Sequence, residues 1–168
     1  MKKLLLLLAI LALLCPALAL ADAPVLLVEL PENAEMIEDI QFDDGDFIQT
    51  YALEGGVTVQ LLRYASFDMT LSELIESDWP LCSGVEGAGI DQISGYPAES
   101  AHIWQPVDES GYPVEGAGSA MMECMLVVVK AGDCTLIYQG SYLSGEGGDG
   151  VLRMLESLQM QTDEAEVG

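Results

Sequence analysis

Apolar and polar positions alternate with a period of two along several short segments of the chain, and glycine or proline separates these segments. This pattern is typical of half-buried β-strands joined by tight turns. Residues 120–130 and 134–143 are the clearest pair, and they predict a hairpin closed around Ala131-Gly132. A second hairpin is predicted over 46–53 and 57–64, with Glu54-Gly55-Gly56 as its turn. Further strands are predicted at residues 25–30, 90–93 and 98–105.

Two segments change to a helical period. Thr70 and Glu73 have the spacing of a capping box, and Pro80 ends the run of apolar positions that follows. Asp149 is the predicted N-cap of a second helix with one apolar stripe. Residues 106–119 are rich in glycine and proline, and we expect a long surface loop there. The apolar stripe of the second helix consists of Val151, Leu152, Leu155 and Leu158.

The order strands, helix, strands, helix predicts an α+β fold. In this fold the two helices pack on an antiparallel β-sheet, which gives an α/β/α-type sandwich. We expect a single domain over residues 22–161 and a flexible tail over residues 162–168.

The first 21 residues have the three regions of a secretory signal peptide. Two lysines precede an uninterrupted apolar run over residues 4–14, and Ala19-Leu20-Ala21 supplies the small residues of a cleavage site. The apolar run is shorter than the roughly 20 residues that a transmembrane helix needs. A lipidated Cys15 is disfavoured because a leucine, rather than a small residue, precedes it. We therefore predict cleavage after Ala21 and a secreted or extracytoplasmic location.

Charge restricts the partners of the mature chain. Cleavage removes two of the five basic residues and none of the 28 acidic ones, so the net charge becomes 3 − 28 = −25. Nucleic-acid binding depends on basic side chains that displace counterions from phosphates. Three cations do not provide such a surface, and anionic membranes are excluded for the same reason. We expect a monomer whose partner is an unknown protein or small ligand.

The sequence contains no set of residues that predicts catalysis, a metal site or a cofactor. His102 is the single histidine, and no nucleophile motif accompanies it, so a strand histidine is a better interpretation than a catalytic base. Asp43-Asp44-Gly45-Asp46 resembles part of a calcium loop but lacks the alternating acids and the terminal glutamate. We interpret this segment as a turn, because Asp and Gly are ordinary turn residues.

Three cysteines, Cys82, Cys124 and Cys134, remain after cleavage, and an oxidising compartment would pair two of them. With Ala131-Gly132 as the turn, Lys130 lies opposite Asp133, and Cys124 and Cys134 are offset by five residues. That offset is about 16 Å, beyond the roughly 7 Å that a disulfide tolerates, and it places the two side chains on opposite faces. Cys82 is therefore the predicted partner in any bridge. The second cysteine of the bridge is either Cys134, which is slightly preferred, or Cys124.

The layout of the elements resembles the PsbP/DcrB-type α/β/α sandwich of small secreted or lipoprotein domains. The resemblance covers roughly residues 25–160 and includes the strings VELPE, SELIES, ISGYPAES and VLRMLESL. It implies a binding or accessory module without catalytic residues, and it identifies no site residue.

These observations favour a secreted, non-catalytic binding or accessory domain of unknown ligand, which is not an enzyme. One alternative is an extracytoplasmic hydrolase with two carboxylates about 5–10 Å apart in a deep cleft, one of them with a raised pKa. The other is an inhibitor-like module that uses the 106–119 loop as its contact surface.

Overall fold

The computed structural model of the protein describes residues 24–65, 68–145 and 147–161. In this part of the chain the secondary structure consists of ten strands, two helices and a single 3-10 turn at Glu54–Gly56. The strands are β1 (Val25–Leu27), β2 (Glu35–Gln41), β3 (Phe47–Leu53), β4 (Val57–Ala65), β5 (Gly84–Gly87), β6 (Gln92–Ile93), β7 (Tyr96–Val107), β8 (Ala120–Ala131), β9 (Cys134–Leu143) and β10 (Gln159–Gln161). The helices are α1 (Leu71–Asp78) and α2 (Gly148–Glu156).

Eight of the strands form one antiparallel sheet. Seven lie in the order β2-β3-β4-β9-β8-β7-β5, and β6 pairs with β7 beside this path. Strands β1 and β10 form a separate two-stranded ribbon. The long hairpins β3–β4 and β8–β9 are local, whereas β4 pairs with β9 across a large separation in sequence. The sheet thus joins the strands of residues 35–65 to those of residues 84–143.

Strand β8 is buried on both faces of the sheet, because an apolar cluster packs against each face. Met125, Val127 and Val129 belong to an apolar cluster on one face, together with the buried side of α2. Alternate residues of the same strand belong to a second cluster on the other face, together with Leu74 of α1 and with Trp79. The strand therefore appears in the sequence as a continuous apolar run instead of an alternating one.

A glycine allows α2 to approach the sheet closely. A Cβ atom at Gly140 of β9 would lie 2.7 Å from Val151 Cγ1 and 2.7 Å from the hydroxyl oxygen of Tyr138. Val151 is completely buried at this contact, and the Tyr138 hydroxyl donates to its carbonyl oxygen over 3.3 Å. Any side chain at position 140 would push the helix away from the sheet.

The capping box of α1 is confirmed. Thr70 accepts a hydrogen bond from the backbone of Glu73, and the Glu73 side chain accepts one from the backbone of Thr70. The N-cap prediction for α2 is wrong: Gly147, in a left-handed conformation, is the N-cap, and Asp149 lies inside the helix. The buried stripe of α2 also differs from the predicted one: Met154 is buried, whereas the predicted Leu152 is 45% exposed.

The expected α/β/α-type sandwich is wrong. Strands contain 52% of the described residues and helices only 15%. Helices of eight and nine residues are about 12–14 Å long, whereas the twelve-residue strands β7 and β8 extend for about 40 Å. Each helix therefore covers only part of a sheet face and does not form a layer. Three of the strands, β2, β5 and β10, lie in segments where the sequence pattern predicted none.

Two turns also differ from the predictions. In the β8–β9 hairpin Ala131 pairs with Cys134, so the turn is Gly132-Asp133 and the register moves by two residues. Gly132 has the positive φ of 63° that this turn requires. The predicted strands 90–93 and 98–105 left four residues between them, but the turn is only Ser94-Gly95. Strand β7 also extends to Val107, so the following loop begins later than expected.

The predicted signal peptide and the predicted tail lie outside the described residues. No helix in the described ranges is long and apolar enough to cross a membrane.

Candidate functional site

Three neighbouring strands place a set of polar side chains on the sheet face that α2 covers. Glu123 of β8 pairs with Tyr142 of β9 on one side and with Trp104 of β7 on the other. His102 lies two residues from Trp104 along β7 and therefore points to the same face. Glu86 of the edge strand β5 lies opposite His102. We call His102, Glu123 and Tyr142 the polar cluster.

A single carboxylate oxygen is the centre of the polar cluster. Glu123 Oε2 lies 2.8 Å from His102 Nε2, and it accepts a hydrogen bond from the Tyr142 hydroxyl over 3.0 Å. His102 Nδ1 lies 3.8 Å from Glu86 Oε1 on its solvent side. The His102 ring also contacts the Trp104 ring, with 4.1 Å between the centroids. The histidine is thus held between two carboxylates and an aromatic ring.

Burial and hydrogen bonding act in opposite directions on the pKa of Glu123. Burial is the largest single influence and raises this pKa. The hydrogen bonds from Ser144, Tyr142 and His102 together lower it by more, so the pKa lies below its ordinary value. Burial also raises the pKa of Tyr142 to about 12, with the hydrogen bond and the charge of Glu123 adding to this effect. At neutral pH the pair is therefore a carboxylate and a neutral phenol that donates to it.

Glu123 and Tyr142 form part of the wall of a cavity of about 630 Å³ at the N-terminal end of α2. The wall contains two further acids, Glu54 and Asp149, and one cation, Arg153. The guanidinium Nε of Arg153 donates to the carbonyl oxygen of Asp149, so this cation is partly engaged within the helix. The wall thus contains three carboxyl side chains and one guanidinium.

The glycine-rich segment before α2 shapes one side of this cavity. Gly147 has a φ of 76°, and a Cβ atom there would lie 2.2 Å from Val57 Cγ2. Both the backbone conformation and the contact with Val57 therefore require glycine. This tight approach brings the backbone of the segment over the side chain of Val57.

No group of three or more His, Cys, Asp or Glu side chains in the described ranges could hold a metal ion. The Asp43–Asp46 segment forms the turn between β2 and β3, where Gly45 has a positive φ and Asp44 accepts a hydrogen bond from the backbone of Asp46. Asp46 instead lies 3.8 Å from the buried Arg63. These contacts agree with the interpretation of the segment as a turn.

The expected disulfide is not present: Cys82, Cys124 and Cys134, the cysteines of the described residues, are free. Cys134 belongs to the apolar cluster on the α2 face, whereas Cys124 belongs to the cluster on the α1 face, and Cys82 packs against the latter. The slight preference for Cys134 as the partner of Cys82 is therefore wrong, because Cys134 lies on the opposite face of the sheet from Cys82.

Cys82 and Cys124 share a face, but β7 separates them. Ser83 donates to the Trp104 carbonyl on one side of β7, while Cys124 pairs with Ile103 on the other side. Two strand spacings amount to about 10 Å, more than the roughly 7 Å limit between Cα atoms of a disulfide. Burial raises the pKa of Cys124 to about 12, which keeps its thiol protonated and unreactive.

Of the polar cluster, only His102 stands out in the sequence; Glu123 and Tyr142 were not predicted as site residues. Glu123 could have been noticed as the one acid in the otherwise uncharged run from Ala120 to Val129. Among 28 acidic residues this signal is weak. The pairing that brings His102, Glu123 and Tyr142 together depends on the registers of β7, β8 and β9, which the local sequence pattern does not fix.

No family model matches the chain, and no curated protein matches it. Among solved structures, the chain is similar to LpqN, a protein involved in cell envelope biogenesis of Mycobacterium tuberculosis. The two are 10% identical, the match covers 83% of this chain and 84% of LpqN, and the TM-score is 0.38. The resemblance to PsbP/DcrB-type domains is not confirmed.

Proposed function

We propose that the protein is an exported, non-catalytic binding or accessory domain, and that its ligand site is the cavity above Glu123 and Tyr142. The observation that supports this most directly is the combination of a roughly 630 Å³ cavity with a polar wall that is fixed by hydrogen bonds. Ligand sites are typically concave and contain a few oriented polar groups. Here the Tyr142 hydroxyl and the Glu123 carboxylate orient each other before any ligand arrives.

The charge of the cavity favours a cationic ligand. Glu54, Glu123 and Asp149 outnumber Arg153 on its wall. Opposite charges in a partly enclosed site interact more strongly than in bulk water, because the effective dielectric constant is lower there. A ligand with an amine or guanidinium group would therefore gain affinity from the two acids that the polar cluster leaves free, Glu54 and Asp149.

The remaining cations support the same choice of partner. Arg63 is buried and donates to the backbone carbonyl of Gly45. The Lys130 ammonium donates to Asp68 over 2.6 Å and to the carbonyl of Met69 over 2.5 Å. Arg153 is exposed, and its Nε donates to the carbonyl of Asp149. One accessible guanidinium among the described residues does not form the basic surface that phosphate binding needs. We therefore propose that nucleic acids and anionic membranes are not partners.

The hydrolase alternative has less support. A general acid in a carboxylate pair needs a raised pKa so that it is protonated at neutral pH. Glu123, the partly buried acid of the cavity, has a lowered pKa instead. The phenol of Tyr142, with a pKa of about 12, does not act as a base at neutral pH.

The inhibitor-like alternative depends on the loop between β7 and β8. Asp108 shapes its first turn by accepting hydrogen bonds from the backbone of Ser110 and Tyr112. The Tyr112 side chain is 70% exposed at this turn, and such an aromatic side chain could contact another protein. Loss of binding to a protein partner in Tyr112→Ala, with the cavity variants unaffected, would favour this alternative.

The proposal is tested by calorimetric titration of the mature protein with spermidine and with arginine amide, each compared with a neutral analogue of similar size. We expect the cations to bind and the neutral analogues to bind at least about tenfold more weakly, which corresponds to about 1.4 kcal/mol. Glu54→Gln and Asp149→Asn should each reduce the affinity. Glu76→Gln, on the exposed side of α1, removes the same charge far from the cavity and is the matched control. Equal losses in the cavity and control variants would reject the cavity as the site.

A further inference from the structure

Strand β2 forms one edge of the eight-stranded sheet, and all seven of its residues are exposed. Large apolar side chains are among them: Met36 is 47% exposed, Ile37 58% and Ile40 38%, and Phe42 directly after the strand is 47% exposed. Ile40 and Phe42 are two residues apart and lie on one face of the strand, whereas Met36, on the far side of the bulge, lies on the other face. Exposed apolar side chains that lie together mark an interaction site more often than single ones do.

The backbone of β2 has hydrogen-bonding groups available on its outer side. Phe42 donates to the Asp46 carbonyl, which fixes the pair Phe42–Asp46 as hydrogen-bonded. Antiparallel pairs alternate, so Ile40 and Glu38 also bond to β3, and the N–H and C=O groups of Asp39 and Gln41 point away from the sheet. In the described part of the chain no strand other than β3 pairs with β2. An unpaired edge of this kind is a template for a further strand.

The opposite edge of the sheet lacks these properties. Strand β5 has only four residues, begins and ends with glycine, and its first residue lies close to the Trp104 ring. A short edge strand is one of the devices by which proteins avoid unwanted pairing. The β2 edge contains no proline and no lysine, and it is nearly twice as long. A further strand can therefore pair more easily with the β2 edge than with the β5 edge.

The charge on β2 selects the partner. Glu35, Glu38 and Asp39 are acidic, the strand has no basic residue, and Asp43 and Asp44 follow it. A second copy of this chain would bring the same acids beside them, and like charges on adjacent strands are unfavourable. A strand that carries lysine or arginine would instead place opposite charges side by side. The edge thus discourages self-association while it remains open to a basic segment.

We propose that the outer edge of β2 is a docking site for an extended segment of a partner protein, in which apolar residues alternate with lysine or arginine. The segment adds to the sheet as a further strand, with its backbone bonded to Asp39 and Gln41. Its apolar side chains cover Ile40 and Phe42 on one face, and its basic side chains lie on the other face beside Asp39. This mode, in which the main chain supplies affinity and the side chains supply specificity, is strand addition.

The test uses a fluorescently labelled peptide of seven residues in which valine and lysine alternate, with both termini blocked. Fluorescence anisotropy is measured with the mature protein at about 0.15 M salt, where long-range attraction is largely screened. We expect saturable binding by the wild type. Hydrogen exchange followed by NMR should show that the amides of Asp39 and Gln41 become protected when the peptide binds.

Two controls separate strand addition from simple charge attraction, which is needed because the protein is so acidic. The first is Gln41→Pro, which removes the outward N–H without changing the charge, compared with Gln41→Ala, which keeps that N–H. We expect at least a tenfold loss of affinity for Gln41→Pro and less than a twofold change for Gln41→Ala. The second control is the same peptide N-methylated at alternate amides, which keeps its charge and loses its donors. It should bind at least tenfold more weakly.

Equal binding of the N-methylated and unmodified peptides would overturn the proposal, as would unchanged affinity in a folded Gln41→Pro variant. The N-methylated peptide keeps the test decisive if Gln41→Pro does not fold. Sedimentation that shows a dimer dependent on the β2 edge, without peptide binding, would assign the edge to a second copy instead. Asp149→Asn should leave the peptide affinity unchanged, so failure of this proposal is distinguishable from failure of the cavity proposal.

Discussion

Tyr142→Phe tests whether the polar cluster stabilises the fold through a charged hydrogen bond. The change removes one hydroxyl group from β9 and leaves the aromatic ring in place. The lost bond is the 3.0 Å contact from the Tyr142 hydroxyl to Glu123 Oε2. His102 and Ser144 continue to donate to the same carboxylate. The variant therefore removes one hydrogen bond to Glu123 without leaving this carboxylate unpaired.

The expected cost follows from the type of hydrogen bond. Bonds to charged groups contribute about 1.5–3 kcal/mol, and those between neutral groups about 1 kcal/mol. The Glu123 side chain is 14% exposed, so water can replace part of the lost bond, and we expect about 1.5 kcal/mol. Tyr138→Phe is the matched control, because its hydroxyl donates to the neutral carbonyl of Val151 on the same strand face. That variant should lose about 1 kcal/mol.

The pH dependence distinguishes the two variants. The folded-state pKa of Glu123 lies below its ordinary value of 4.5, so its contribution to stability is present above this value and is lost as pH falls through the folded-state pKa. The cost of Tyr142→Phe should therefore decrease below about pH 4.5, and that of Tyr138→Phe should stay constant. Urea unfolding followed by circular dichroism, at neutral and acidic pH, measures both. A pH-independent cost for Tyr142→Phe would refute the assignment of a charged bond.

Three other predictions concern export, packing and thiol reactivity. N-terminal sequencing of the exported protein should give Asp22 as the first residue, and a start at Met1 would end the signal-peptide interpretation. Gly140→Ala should cost about 1–3 kcal/mol by overpacking, whereas Gly150→Ala, with open space around its Cβ position in a helix, should gain about 0.5–1 kcal/mol in the same unfolding assay. Maleimide should label the partly exposed Cys82 well before the buried Cys124, and equal rates would contradict the burial of Cys124.

Elements fixed by local chemistry were predictable from the sequence. The β3–β4 hairpin has its turn at the expected glycines, with Leu53 paired with Val57. The capping box of α1 needs only the side chains of Thr70 and Glu73. In the β8–β9 hairpin the strands were found, but the turn was placed too early. Ala131 continues the ladder, because Gly132 supplies the positive φ at the first turn position.

Strand β2 shows why another part of the fold was missed. Sequence patterns reveal a strand when one face is buried, because burial imposes alternation. None of the seven residues of β2 is buried, and a bulge between Met36 and Glu38 interrupts the alternation further. Pairing with β3 alone maintains this strand. Its sequence, EMIEDIQ, mixes acids and apolar residues without a period that identifies an inward face.

The strand registers also determine the difference between the two proposed sites. Residue type alone does not distinguish Glu123 from the acids of β2. The pairing registers of the sheet place them in different surroundings. At Glu123 three strands converge, and donors from His102 and Tyr142 fix the carboxylate in a partly buried site. At the β2 edge Glu38 accepts a hydrogen bond from Thr50 and Asp39 accepts one from Gln41, and both residues remain exposed beside an unpaired backbone. We therefore propose different ligands for the two anionic surfaces of this acidic chain: a small cation for the concave surface at Glu123, and a basic strand for the linear edge of β2.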